Sequence, residues 1–262
     1  MERKTEKRAC NVRVRPSYKS ASVCVEQSWP DWLKANREPA PDPRPAGADE
    51  AKLDETEAIL FALAQAVEQR DHSTAGHCER LALISVTLGV AMRLDRSSLL
   101  SLYRGGYLHD VGKVGIPDSI LFKPAALDAQ EWVLMRSHTT RGEEICRHLK
   151  SLAPVLPVIR HHHERWDGSG YPDGLRGDQT PVLARVLQIA DIYDALTNPR
   201  PYKPAYSPER ALEIIAGETE RGWRDPEIVE LFMRLHQGVI SKLTGPDRNL
   251  EALRLALVER VL

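Results

Sequence analysis

The residues best suited to chemistry lie between His161 and Gly174, in the run HHHERWDGSGYPDG. Consecutive imidazoles pack poorly and repel one another when protonated; neutral, they are good metal ligands. The glycines that follow allow backbone to approach a bound group closely. Other candidate donors are spread along the chain: His77, the pair His109-Asp110, His138, and Asp191 within IADIYDAL. Apart from neighbouring pairs, each falls on a different predicted helix. A helix bundle builds a dinuclear site in this way, from inward side chains on several facing helices. Any one of these histidines alone reads more readily as a satisfied core or surface residue than as a ligand, and His72, His148 and His236 are left in that class.

Positioning such a set requires helices, and the sequence supplies them. Leu53, Ile59, Leu60, Leu63 and Val67 recur at helical spacing to about Arg70. A second helix is expected over about Gly76 to Leu94, striped by Leu81, Ile84, Leu88 and Met92. Asp95 caps a third, which runs to about His109. VGKVGIPDSILFKP then breaks the pattern with Gly112, Gly115, Pro117 and Pro124. Asp128 is expected to cap one long helix that carries Trp132, Met135 and His138 and ends near Leu149. Pro154 and Pro157 precede a short helix that delivers the histidine run. Pro181, Pro208 and Pro226 open further helices, and a last amphipathic helix is expected over about Pro246 to Leu262. Alternating strand patterns are nearly absent, so the fold class is all-α.

The N-terminal part reads differently. Residues 1–20 are basic and lack apolar periodicity, which fits a disordered tail or an electrostatic tether. Trp29 and Trp32 mark a short docking element, and EPAPDPRPAG is an extended linker. The expected organisation is a poorly structured segment over 1–48 and a catalytic domain over 49–262.

Bulk properties exclude several classes. A net charge of −1 gives no global basic field for a nucleic-acid polymer or a membrane surface. Cys10, Cys24, Cys78 and Cys146 form no C-x-x-C pair, which suits a reducing cytoplasm. No apolar run reaches the roughly 18 to 20 residues that span a bilayer.

Taken in order, RDHSTAGHCER, HDVGKVGIP, KPAALDAQEW, HHERWDGSGYPDG, IADIYDALT and RPYK resemble the HD-GYP family of the HD phosphohydrolase superfamily over about residues 55 to 240. The resemblance implies an all-α HD-type bundle with a metal centre that hydrolyses cyclic di-GMP to pGpG or GMP. It implies that His77, His109, Asp110 and Asp191 hold one metal, and that Asp110 bridges to a second held by His138, His162 and His163. Iron or manganese is the implied metal. In trinuclear members a Glu one turn before the first histidine serves a third ion. Ser73 stands there in this chain, and a neutral hydroxyl replaces a carboxylate poorly, so a dinuclear centre is expected.

Two metals roughly 3.5–4 Å apart can provide a bridging hydroxide, neutralise a phosphate and stabilise a leaving alkoxide. Lys113 reads as a phosphate-facing ammonium or as an ordinary surface lysine. Asp194, one turn after Asp191, is a general-acid or ligand-orienting candidate. Tyr171 stacks a guanine or merely stiffens its loop. Arg200 and Lys203 offer donors to guanine or phosphate, although Arg200 could instead cap the preceding helix. The family context extends to docking of a GGDEF-type or other signalling protein through the GYP loop, and to a homodimer. The rivals are a cyclic di-GMP-sensing or docking module with little turnover, and an HD-fold phosphohydrolase acting on another nucleotide.

Overall fold

The computed structural model describes residues 48–70, 76–199 and 204–240. The expected N-terminal tail and linker, Ser73, Arg200, Lys203 and the last helix lie outside them. The described residues form helices and short helical turns with no strand; Asp167 and Arg176 make an isolated bridge. In chain order the helices are α1 (Ala48–Arg70), α2 (His77–Ala91), α3 (Arg96–Leu108), α4 (Asp118–Leu121), α5 (Ala129–Arg136), α6 (His138–Cys146), α7 (Leu156–His161), α8 (Val182–Thr197), α9 (Pro208–Glu220) and α10 (Pro226–Leu235). No helix among them is long and apolar enough to cross a membrane.

Helix α2 is central. Its expected stripe is only part of what it buries, because Ala82, Leu83, Ser85, Val86 and Thr87 are buried as well. It packs against α3 and α8. Arg80 is 2% exposed and tolerated there because Asp194 of α8 accepts from its Nε at 2.6 Å. Gly76 precedes the helix and offers no side-chain cap. Glu68 of α1 replaces it, taking the His77 amide at 2.8 Å.

The other starts follow local chemistry. Asp95 accepts from the Ser98 amide, Ser207 from Arg210, and Asp225 from Glu227 and Ile228. Asp128 and Glu131 form a reciprocal capping box.

The long helix expected from Asp128 is two helices. Ser137 separates α5 from α6. The hydroxyls of Ser137, Thr139 and Thr140 each donate to the carbonyl three residues back, at 2.6, 3.1 and 3.0 Å. Such back-bonding bends a helix, and here it turns the chain just before His138.

The segment after His109-Asp110 is a 3-10 turn over Val111–Gly115 that lies on the start of α6. A Cβ on Gly112 would stand 1.9 Å from the His138 carbonyl oxygen and 2.5 Å from the Gly142 amide. The glycines of HDVG and HTTRG are therefore one feature, a backbone contact that sets two histidine-bearing segments side by side. Gly112→Ala is expected to destabilise the fold by roughly 1–3 kcal/mol, the usual cost of overpacking. Thermal unfolding followed by circular dichroism in the presence of a chelator checks this.

Candidate metal centre

The structure brings the seven predicted donors into two adjoining groups. Asp110, His138, His162 and His163 form one, and His77, His109 and Asp191 the other; within each group the donor atoms lie within 4.8 Å of one another. The Asp110 carboxylate faces both. Its Oδ1 is 3.3 Å from His138 Nε2 and 3.9 Å from His162 Nε2, and its Oδ2 is 3.3 Å from His109 Nε2.

One local device orients three of the imidazoles. His109, His138 and His162 each follow the end of a helix, α3, α5 and α7. Each Nδ1 meets the carbonyl three residues earlier: Gly106 at 3.1 Å, Met135 at 2.8 Å and Ile159 at 2.8 Å. Last-turn carbonyls lack full intrahelical partners, so they fix the Nδ1–H tautomer and aim the Nε2 lone pair inward.

His77 begins a helix and has no such carbonyl. Its ring is held from the two aspartates of IADIYDAL. Asp194 Oδ2 lies 2.7 Å from Nδ1, and Asp191 Oδ1 lies 3.6 Å from Nε2. Three residues apart on one helix, these carboxylates share a face.

The fit to a cation is visible in the atoms left over. His109 Nε2, Asp110 Oδ1, His138 Nε2 and His162 Nε2 are buried and have no hydrogen-bond partner. An orphaned buried polar atom costs about 1–3 kcal/mol. Here four converge, all of them lone-pair donors with the tautomers set as above. Mixed imidazole and carboxylate donors suit iron, manganese or zinc.

Electrostatics favour the ligating forms. Burial pushes His162 well below the usual imidazole range and His138 down, and burial with the nearby His138 takes His163 to about 3. Burial would raise the Asp110 carboxyl, but Lys113 and His109 hold it well below the usual range. His109 goes the other way: burial would lower it, but Asp110 and Asp191 raise it above the usual imidazole range.

Lys113 is not an ordinary surface lysine: its ammonium is 2.8 Å from Asp110 Oδ2. The general-acid role considered for Asp194 does not fit. The residue is 1% exposed, and its carboxylate is taken by His77, Arg80 and Asn198. Burial would raise it, but the hydrogen bonds from His77 and Arg80 keep it below the normal carboxylate range, with no proton to give. It acts by orienting His77.

Tyr171 is not an open stacking platform either. Its ring stacks on His163, with centroids 4.9 Å apart, and the Arg136 guanidinium lies 5.1 Å from its centroid. Tyr171 thus braces a candidate ligand.

Glu164, next to the histidines but outside the donor set, fastens the loop that follows Tyr171. At 2% exposure it accepts from the amides of Asp173, Gly174 and Leu175 at 2.7, 3.1 and 3.1 Å. His161, the first of the run, turns away to Asp173 at 2.9 Å. A Cβ on Gly170 would lie 2.2 Å from the Arg165 amide, so the loop folds back directly on the histidine segment. His236 is a buried histidine satisfied by the Tyr193 hydroxyl at 2.7 Å, and His148 is exposed.

Comparison with known proteins agrees with this architecture. Residues 62–228 match the HD domain family. The chain is 41% identical over 177 residues to the 3'3'-cGAMP-specific phosphodiesterase 2 of Vibrio cholerae, covering 67% of this chain and 34% of that protein. It is 36% identical over 188 residues to a cyclic di-GMP phosphodiesterase of Thermotoga maritima, covering 69% of this chain and 50% of that protein. The chain thus spans about a third to a half of the length of these curated relatives. Among solved structures, a cyclic GMP-AMP specific phosphodiesterase of Vibrio cholerae superposes with a TM-score of 0.57 at 24% identity, over 76% of this chain and 54% of the other. The chain belongs to the HD domain family, and its motifs make it an HD-GYP member.

Replacing Asp194 by Asn removes the charge that steadies His77 and neutralises Arg80. Asp194→Asn is expected to weaken binding of one metal about 10–100-fold, the usual loss when a ligand's supporting partner is removed. Titration against a chromophoric chelator measures it. Glu164→Ala leaves three amides without their acceptor, and amide hydrogen exchange at Asp173 to Leu175 is expected to accelerate at least tenfold.

Proposed function

We propose that this domain is a metal-dependent phosphodiesterase acting on cyclic dinucleotides, with cyclic di-GMP as its substrate and two iron or manganese ions in the centre. The observation that carries the reading is the convergence of orphaned His109, His138 and His162 nitrogens on a carboxylate that faces both donor groups. A sensing or docking surface has no use for such a centre. Relatives named as phosphodiesterases of cyclic di-GMP and of 3'3'-cGAMP support the choice of substrate class.

When bound, two divalent ions would supply Lewis acidity toward the phosphate and an activated water. His77, His109 and Asp191 would hold one ion and His138, His162 and His163 the other, with Asp110 shared. The water oxygen bonds to phosphorus as the bond to the ribose 3'-oxygen breaks, a proton from the water ends on that ribose oxygen, and the product is linear pGpG; a second such hydrolysis gives two GMP. Lys113 keeps a positive charge beside Asp110, where negative charge builds on the phosphate. Tyr171 holds His163 and forms the wall against which the substrate rests. Arg200 and Lys203 remain proposed contacts to guanine or phosphate. The reducing compartment that the cysteines suit is the cytoplasm. A GGDEF-type partner at the GYP loop and a homodimer are compatible with this reading.

A second substrate has a specific observation behind it: the 41% identical relative is named for 3'3'-cGAMP. Protein loaded anaerobically with iron or manganese, incubated with each dinucleotide and followed by chromatography, decides between them. Release of pGpG or GMP from cyclic di-GMP is expected. Tight binding without product would instead make the domain a receptor. Asp110→Asn is expected to lose metal and turnover together, by at least a hundredfold in rate, because an amide carries no charge to share between two cations.

A further inference from the structure

Several arginines around the site have carboxylate partners. Arg160 pairs with Glu143 and Asp173, Arg80 with Asp194, and Arg185 with Asp225. Arg136 differs. It is exposed at the end of α5, two residues before His138. Among the described residues its side-chain contacts are aromatic: its Cζ is 5.1 Å from the Tyr171 ring centroid and 5.5 Å from that of Trp132. A guanidinium seated on ring faces is held in place while its N–H donors still point outward. Tyr171 is itself fixed, by stacking on His163 and by the loop that Glu164 anchors. The charge therefore stands at the rim, one ring away from a candidate metal ligand.

A cyclic dinucleotide carries two phosphates, and the metal centre can neutralise only the one being cut. We propose that Arg136, steadied between Trp132 and Tyr171, binds the phosphate that is not cleaved and so selects cyclic dinucleotides over simple diesters. This rests on the phosphodiesterase reading above. A planar fork of donors suits a phosphate, and a guanidinium already ordered in the free protein loses little freedom on binding. The side chain is exposed and its contacts are two ring faces, while the buried Thr139 hydroxyl meets only its backbone carbonyl, which a substitution keeps.

The test compares two substrates with metal-loaded protein: cyclic di-GMP, and bis(p-nitrophenyl) phosphate, which has one phosphodiester and no second phosphate. In Arg136→Ala the ratio of kcat/KM on the first to kcat/KM on the second is expected to fall about tenfold, through KM for the dinucleotide. Arg136→Lys, which keeps the charge without the fork, should recover part of that loss, and Arg136→Glu should deepen it. A ratio that does not move overturns the assignment, whether both rates hold or both fall together. A loss carried by kcat alone overturns it as well. If the unmodified protein cleaves the simple diester but neither cyclic di-GMP nor 3'3'-cGAMP, the functional reading itself fails, and this inference with it, before any variant is compared.

Discussion

Asp110 stands where two sets of buried lone pairs meet, and most of the structure is arranged so that they meet there. Imidazole nitrogens whose protons are committed to Nδ1 cannot hydrogen-bond to one another or to a carboxylate. Left alone, the four orphaned atoms at His109, Asp110, His138 and His162 would favour a fold that moved them apart. They stay together because each is tied to an element packed for other reasons. α3 is locked against α2, α6 lies on the turn after Asp110, and α7 is flanked by α6 and α8. The hydrophobic core holds in place a cluster that is unfavourable without a cation.

The helix-end device makes that economical. A histidine just beyond a last turn finds a carbonyl already pointing at it, so no separate orienting residue is needed. It works for His109, His138 and His162, and it required breaking the chain at Ser137 to create a helix end before His138. The histidine run then divides its labour. His162 and His163 face the donors, while His161 turns to Asp173 and, with Arg160, ties down the loop that carries Tyr171. Gln188 of α8 donates to the His162 carbonyl at 3.0 Å and secures the same segment from the other side.

Much of this was legible in the sequence. The caps at Asp95 and Asp128 and the helix starts at Pro208 and Pro226 depend on neighbouring residues, and the donor types announced a metal centre. Three features were not legible. The split at Ser137 is encoded in SHTT, but apolar periodicity runs straight through it because Met135 and Cys146, eleven residues apart, keep helical spacing. Glu68 caps a helix nine residues later in sequence, across a segment with no pattern linking the two. Glu164 looked like a neighbour of ligands, yet its partners are backbone amides of a loop, which carry no side-chain signature. Long-range hydrogen bonds to backbone leave no trace in composition or period.

The spacing of Asp191 and Asp194 joins the metal centre to the stability of the fold. Asp194 serves His77 with one oxygen and buried Arg80 with both, at 2.6 and 3.0 Å. Arg80 could not remain 2% exposed without that charge. The carboxylate that aims a candidate ligand is thus also the counter-ion of the central helix. A change that loosened His77 to adjust metal affinity would unpair a buried arginine, and a repacking that removed Arg80 would leave His77 turning on a softer hinge. The two requirements constrain one residue, so on α8 the geometry of the centre and the integrity of the core can change only together.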